Sequence, residues 1–346
     1  MLDERKLKVL YAIINSYILT AEPIGSRTIS KHYDLGVSSA TIRNEMSDLE
    51  ELGLLNKPHS SAGRVPSDKA YRLYVDSILK FDQFIFDLQK KEKIKNILIN
   101  ESDELVHLLQ NAAKVLSEIT NYTALAISPQ LKSSKVKHIQ LVPIDEKQIL
   151  LIIVNNSDIV KNSIFKLDKP ISADLLNSLS NILNNSLRGL TFEEMLQVLD
   201  TGIIKELYDY RYILQSLIPI LSKSIEDTDN IDLYYEGITR ILNYPEYKDI
   251  DKAKSIISFM EDKDMVLDML LNNSLKHDID IIIGNENNYS QLQDSSIITA
   301  TYKFRGKTIG KIGVIGPTRM DYYKLINTLK LFSVNISEII ESLAKN

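Results

Sequence analysis

The sequence predicts an α+β multidomain chain that begins with a winged helix-turn-helix. Three observations lead to this prediction. Two short helical patterns at residues 23–33 and 37–52 are joined by a tight turn, strand-like runs alternate with helices after residue 120, and an apolar heptad pattern occupies residues 203–221. A chain of 346 residues is also too long for one ordinary hydrophobic core, so we expect two or three domains.

The amino-acid composition excludes several classes of protein. The chain is 44% hydrophobic and 25% charged, which is average for a globular protein, and it contains no cysteine. Disulfides and cysteine-ligated metal are therefore excluded, and a cytoplasmic, nucleoid-associated location is the natural expectation. The longest clear apolar run, residues 149–154, is the size of a strand, and the N-terminus lacks the apolar core of a signal peptide. We expect no membrane partner.

The first 80 residues form the predicted DNA-binding domain. A helix at residues 3–19 places Leu7, Leu10, Ile14 and Ile18 on one face, and a second short helix precedes a turn that contains Gly36. Two helices joined by a glycine-containing turn are typical of a helix-turn-helix. The net charge of this domain is only +1, against −5 for the whole chain, so DNA binding depends on where the charges lie.

The helix predicted at residues 37–52 is the candidate recognition helix. Ser38 or Ser39 can cap its start and Gly53 can end it. Its inner face carries Ile42, Met46, Leu49 and Leu52, and its outer face carries Ala40, Arg43, Asn44, Ser47 and Glu51. Arginine and asparagine suit the guanine and adenine edges of the major groove. The alternative for this segment taken alone is an ordinary amphipathic helix with a solvated face.

A wing is predicted after Gly53, where a short apolar strand leads into a loop that carries Lys57 and Arg64 for phosphate contacts. Ser67 then caps a fourth helix, in which Arg72 either contacts phosphate or packs against neighbouring tyrosines. The full set of predicted DNA-binding residues is Arg27, Ser38, Ser39, Ala40, Thr41, Arg43, Asn44, Ser47, Lys57, His59, Ser60, Ser61 and Arg64.

The remaining chain alternates between helix and strand. Residues 81–104 have the mixed charge of a helical linker, and strand-like runs occupy residues 123–167 and 278–315. We expect these two groups of strands to form one antiparallel sheet within a domain made of residues 105–190 and 278–346. Residues 191–277 would then be a mainly helical insertion. This insertion contains a heptad seam formed by Ile203, Leu207, Tyr210, Leu214, Leu217 and Leu221. The seam predicts self-association of two copies of the chain. The alternative is a helix that packs into its own domain.

An enzyme is the competing class, and the sequence does not favour it. The five histidines show no metal-binding spacing, and residues 306–311 are too short for a phosphate-binding loop and fit a hairpin better. We therefore predict no catalytic residues, no metal and no cofactor. A second alternative is a winged-helix regulator that senses a small molecule through its α/β domain. No group of residues in the sequence indicates which ligand this would be.

Five strings resemble the family of heat-inducible transcription repressors HrcA: residues 37–46, 52–55, 58–66, 71–76 and 315–322. Residues 145–280 resemble that family only in length and general character. The resemblance implies a winged-helix domain, a GAF-like α/β domain at residues 105–190 and 278–346, and an inserted dimerisation domain. It also implies a homodimer on an inverted-repeat CIRCE operator of chaperone genes, and assistance from the GroE chaperonin.

Overall fold

The computed structural model of the chain describes residues 2–59, 62–80, 88–100, 105–127, 135–155, 160–167, 170–191, 194–195, 197–198, 219, 232–272 and 278–343. Contacts between these residues define two compact units. The first combines Met1–Ser128 with Leu233–Ile340, and the second combines Pro129–Asp232 with Glu341–Asn346. The expected mixture of helix and sheet is confirmed.

Ten labelled α-helices and ten strands organise the described residues. The helices are α1 (Glu4–Thr20), α2 (Ser26–His32), α3 (Ser39–Glu51), α4 (Asp68–Lys80), α5 (Leu88–Asn100), α6 (Leu105–Thr120), α7 (Ala173–Leu187), α8 (Ile250–Glu261), α9 (Lys263–Asn272) and α10 (Tyr322–Leu343). The strands are β1 (Leu55–Asn56), β2 (Val65–Pro66), β3 (Thr123–Ile127), β4 (Val136–Pro143), β5 (Gln148–Asn155), β6 (Val160–Lys166), β7 (Leu233–Glu236), β8 (Ile279–Ile283), β9 (Ser295–Phe304) and β10 (Lys307–Pro317). Among the described residues, no helix combines the length and the hydropathy of a membrane span.

Helices α1 to α4 pack around a small apolar core at the positions that the sequence predicted. Leu10 and Ile14 of α1 are buried there, whereas Leu7 and Ile18 are only half-buried. Leu52 was expected on the inner face of α3, and this expectation is wrong, because its side chain is 48% exposed. The reason is local: α3 ends at Glu51, and the chain turns through Leu52 into Gly53, whose φ of 71° is left-handed.

The first unit also contains a five-stranded antiparallel sheet in the order β7-β3-β10-β9-β8. Strands β9 and β10 form the expected hairpin, and its turn residues Arg305 and Gly306 both have positive φ, as a tight two-residue turn requires. Helix α6 packs against β3 and β7, and α10 is tied to β9 by a hydrogen bond from the Lys303 backbone N–H to Ser337 Oγ at 2.8 Å. Sheet and helices therefore share one core.

The second unit has a sheet of its own, in the order β4-β5-β6, with α7 packed against β4. The expectation of a single antiparallel sheet is therefore wrong. Asn184 Oδ1 accepts from the Ile139 backbone N–H at 2.8 Å, and Ser180 Oγ accepts from the Leu141 N–H at 2.9 Å. Because α7 satisfies these strand N–H groups, the edge of β4 offers no free ladder to the other sheet.

The second unit combines Pro129–Asp232 with Glu341–Asn346. The domain bounds expected from the sequence, with an insertion at residues 191–277, stay a prediction. Residues 233–272 belong to the first unit, since β7 extends its sheet at β3. All six residues of the heptad seam lie outside the described residues, so the seam stays a prediction.

Candidate nucleic-acid interface

Helices α2 and α3 pack against each other and are joined by a turn in which Gly36 has a φ of 66°. A side chain at this left-handed position would be strained, which explains the glycine. Ile29 of α2 and Ile42 of α3 are both fully buried. These contacts hold the start of α3 in place and leave its outer face open.

Ser38 caps α3: its hydroxyl accepts from the Thr41 backbone N–H at 3.2 Å and lies 3.0 Å from the Thr41 hydroxyl. Ser39 is instead the first residue of the helix. The outer face of α3 then carries the five exposed residues that the sequence predicted there. They are Ala40, Arg43, Asn44, Ser47 and Glu51. Small residues and hydrogen-bonding groups thus follow each other from the helix N-terminus, as a helix that enters a major groove requires.

Two of the four acidic residues of α3, Glu45 and Asp48, are paired with α1. Lys6 Nζ lies 2.9 Å from Glu45 Oε2 and 3.1 Å from Asp48 Oδ2, and Arg5 approaches Glu45 at 3.7 Å. The carboxylates of Glu45 and Asp48, which accept from the ammonium group, raise the pKa of Lys6 above its ordinary value. Lys6 therefore balances the charges of the buried Glu45 and the exposed Asp48.

Glu45 is the residue that the sequence analysis missed. It is only 8% exposed and belongs to the inner face of α3 together with Ile42 and Met46. Its spacing of three residues from Ile42 is the available signal, because residues three apart share a helix face. A glutamate at such a position needs a cation from a neighbouring element, and Lys6 supplies it.

Strands β1 and β2 form a hairpin next to α3, and β2 is extended by a bridge to Ile24. The Ile24 N–H donates to the Arg64 carbonyl at 2.9 Å, and the Arg64 N–H donates to the Ile24 carbonyl at 2.8 Å. Gly63 passes so close that a Cβ there would lie 2.4 Å from the Ile24 oxygen. Lys57 and His59 are exposed in this hairpin, while Ser60 and Ser61 lie outside the described residues.

Arg64 has a different environment from Lys57. Its Nε donates to Glu50 Oε2 at 2.8 Å, and its Nη2 lies 2.6 Å from the same oxygen, with the arginine side chain 19% exposed. This pair joins the hairpin to the last turn of α3. Arg64 therefore braces the loop, and a phosphate contact by Arg64 stays a prediction.

The result is an uneven distribution of charge. The exposed cations Arg27, Lys31, Arg43 and Lys57 form no ion pair with any residue that the structure describes. Glu45, Asp48 and Glu50, by contrast, are each paired with a cation. An exposed surface whose cations are free and whose anions are mostly neutralised attracts a polyanion, even though the net charge of the domain is small.

Other kinds of site find little support in the described part of the chain. No group of three or more potential metal ligands occurs there. A cleft of about 260 Å³ lies beside Asp268, Glu286 and Tyr289, somewhat below the size of most ligand pockets, which is about 300 to 1,000 Å³. A cavity of about 10 Å³ beside the buried Lys311–Asp280 ion pair has room for roughly one water.

Comparison with known proteins gives a consistent result. Residues 106–326 match the family described as "HrcA protein C terminal domain". The chain is 41% identical over 340 residues to the "Heat-inducible transcription repressor HrcA" of Alkaliphilus metalliredigens, with 98% of each chain covered. It is 42% identical over 354 residues to the protein of the same name from Ruminiclostridium cellulolyticum, with 100% of this chain and 99% of the relative covered.

A solved structure described as "Crystal structure of a hypothetical protein at 2.2 A resolution" is similar with a TM-score of 0.65 and 22% identity, and the match covers 99% of this chain and 100% of that one. At that identity the likeness concerns the fold alone. The family and its function class rest on the curated relatives, which are named as transcription repressors and not as enzymes. By these matches, the chain belongs to the HrcA family of heat-inducible transcription repressors.

Proposed function

We propose that this chain represses transcription by binding double-stranded DNA through a winged helix-turn-helix made of α1 to α4, with α3 in the major groove. The observation that carries the proposal is the separation of charge around α3. Three of its four acidic residues, Glu45, Asp48 and Glu50, are paired with Lys6 or Arg64, while Arg43 and Asn44 are exposed on the outer face. The solvated face of an ordinary amphipathic helix does not require paired carboxylates beside the exposed Arg43 and Asn44.

Within this proposal, the two parts of the surface have different tasks. Arg43 and Asn44 read base edges, because bidentate hydrogen bonds from these side chains distinguish guanine and adenine. Lys57 in the wing and Arg27 at the start of α2 bind phosphates, which position the protein without reading sequence. The capped N-terminus of α3 adds a partial positive charge toward the DNA.

The operator is an inverted repeat, and the protein binds it as a homodimer. One recognition helix reads only a few base pairs, which is too few to select one site among the competing sites of a genome. Two helices related by a two-fold axis read two half-sites. The heptad seam at residues 203–221 is our candidate for the contact between the copies.

The family suggests the biological context. We infer that the operator is the CIRCE element of chaperone genes, that the body is GAF-like, and that the GroE chaperonin assists folding into the active repressor. Heat would engage the chaperonin with other unfolded proteins and leave the repressor inactive. The protein would act in the cytoplasm, at the nucleoid.

Binding to matched DNA duplexes tests the proposal. A fluorescent duplex with the inverted repeat is compared with one that keeps a single half-site and with a scrambled duplex, at one fixed salt concentration. We expect the inverted repeat to bind at least 10³-fold more tightly than the scrambled duplex, as specific DNA-binding proteins do by roughly that factor or more. Equal affinity for all three duplexes would contradict sequence-specific repression.

A further inference from the structure

We propose that Asp68, Arg72, Asn285, Glu286 and Arg319 form a dock that fixes the orientation of the recognition helix relative to the five-stranded sheet. In this proposal Arg72 and Arg319 are positioning residues that never touch DNA. The inference rests on the proposed function, because an orientation matters only if two recognition helices must meet two half-sites. All five residues belong to the first compact unit.

Arg72 makes the main polar contact of the dock. Its Nε donates to Glu286 Oε1 at 2.7 Å, its Nη2 donates to Glu286 Oε2, and the same Nη2 donates to the Ile281 carbonyl at 2.7 Å. A bidentate pair between arginine and a carboxylate fixes direction as well as distance. The guanidinium of Arg72 in α4 is thus held by β8 and by the turn that follows it, a contact that neither alternative for Arg72 anticipated.

One turn earlier in α4, Asp68 makes a second directional contact. Its Oδ2 accepts from the Asn285 backbone N–H at 3.0 Å and from Asn285 Nδ2 at 2.8 Å. The preceding residue, Gly284, has a φ of 50°, and a Cβ there would lie 2.3 Å from Asp68 Oδ2. The dock therefore requires glycine at 284, for both its backbone conformation and its space.

Arg319 forms the other end of the dock, where α1 meets the segment before α10. It is 8% exposed, its Nη1 donates to the Ile18 carbonyl at 3.1 Å, and it pairs with Glu246. Between the two arginines, the buried rings of Tyr71 and Tyr322 lie 5.8 Å apart. Apolar packing at the centre and directional bonds at both ends resist sliding as well as rotation.

The dock also explains two strings of the sequence that are not part of the proposed DNA-reading surface. The strings at residues 71–76 and 315–322 carry part of the family resemblance, yet neither belongs to the exposed face of α3. In the structure they meet at Tyr71 and Tyr322. A DNA-binding domain joined by a flexible linker would not require such a contact. A dimer that binds two half-sites at one fixed spacing requires it.

A distance measurement tests the dock directly. Because the chain has no cysteine, Ser47→Cys in α3 and Glu261→Cys in α8 create the only two labelling sites for spin labels. Labelled chains are diluted into unlabelled chains, so that only distances within one chain contribute. We expect a narrow distribution in this background and in a Glu92→Ala control, and a clearly broader one when Glu286→Ala and Gly284→Ala are combined. An equally narrow distribution in the dock variant would overturn the proposal.

Operators with altered spacing test the consequence. We expect the parent protein to prefer one spacer length by roughly tenfold or more over spacers changed by half a helical turn, and the dock variant to lose most of this preference while its affinity for a single half-site stays the same. Both substitutions lie in the body, so loss of a DNA contact cannot explain that result. Tighter operator binding by the dock variant would instead identify an inhibitory contact and overturn the positioning role.

Folding and the proposed function are controlled separately. If the combined variant unfolds, Glu286→Gln removes the charge but keeps an acceptor for the Ile283 N–H, which Glu286 now binds at 2.9 Å, and a smaller broadening is expected. An unchanged distribution in that folded variant and in Arg72→Ala would also count against the dock. Should the parent protein bind no inverted repeat, the proposed function fails, while the distance measurement still decides whether the dock holds α3.

Discussion

Replacement of Arg43 by alanine separates base reading from simple charge attraction. Arg43 is exposed in the middle of α3, and it has no ion pair among the described residues. We therefore expect the free energy of unfolding to change by no more than about 0.5 kcal/mol. A bidentate contact with a base is worth about 1 to 3 kcal/mol of discrimination, and a two-fold dimer loses it twice, so operator binding should weaken by about 2 to 6 kcal/mol.

That loss corresponds to a rise in Kd of roughly 30-fold to 2 × 10⁴-fold at 25 °C, at about 1.4 kcal/mol for each tenfold step. Fluorescence anisotropy with the operator, and with operators altered at one symmetric base pair at a time, measures it. The variant should be indifferent to substitution of the base pair that Arg43 reads and should keep its preference elsewhere. Arg188→Ala, at an exposed position that follows α7, is the matched control. An equal loss of affinity on operator and scrambled DNA would refute base reading by Arg43.

Three further predictions concern the wing, its support and the dimer. Lys57→Ala should weaken binding to every sequence and reduce the slope of log Kobs against log salt by about 0.9 for each lost phosphate contact; an unaltered slope would place the hairpin off the DNA. Gly63→Ala should displace the hairpin and destabilise the domain by roughly 1 to 3 kcal/mol in thermal unfolding, since its Cβ would collide with a backbone oxygen, whereas Gly25→Ala, whose Cβ meets nothing nearer than 3.9 Å, should cost much less. Substitution of Leu214 and Leu217 by aspartate should yield a monomer in sedimentation that no longer binds the operator, and an intact dimer with full affinity would move the contact elsewhere.

The helices around the candidate site could be predicted because their signals are local. Ser38 as a cap, Gly36 in the turn and the apolar spacing of Ile42, Met46 and Leu49 lie within a few turns of one another, and the structure places all of them as expected. Leu52 is the exception. It continues the periodic pattern, but it lies one residue beyond the end of α3 at Glu51, and its side chain is exposed.

The division into two sheets could not be predicted in the same way. Strand-like runs show that a strand exists, but the pairing of distant strands depends on contacts far apart in sequence. Here the deciding contacts are those from Ser180 and Asn184 to the edge of β4, across about 40 residues. Polar residues on a helix facing a strand give no sequence signal for such a contact.

The ion pairs of the site could not be predicted from the sequence for a related reason. The pattern separated the acidic residues of α3 from Arg43, yet it did not pair Lys6 with Glu45 or Arg64 with Glu50. These pairs join residues 39 and 14 positions apart, and only the packing of α1 and the hairpin against α3 brings them together. Consequently, the pairing of Arg64 with Glu50 was not expected, and the phosphate contact of Arg64 stays a prediction.

Footprinting on genomic DNA tests the central claim most directly, because it reveals both the bound site and its symmetry without any assumption about sequence. The account predicts two protected half-sites arranged as an inverted repeat, with centres separated by about 34 Å or a multiple of it, that is, one or more helical turns. Replacement of Arg43 by alanine should remove protection from both halves together. Protection of a single asymmetric site, or uniform protection without sequence preference, would contradict the account.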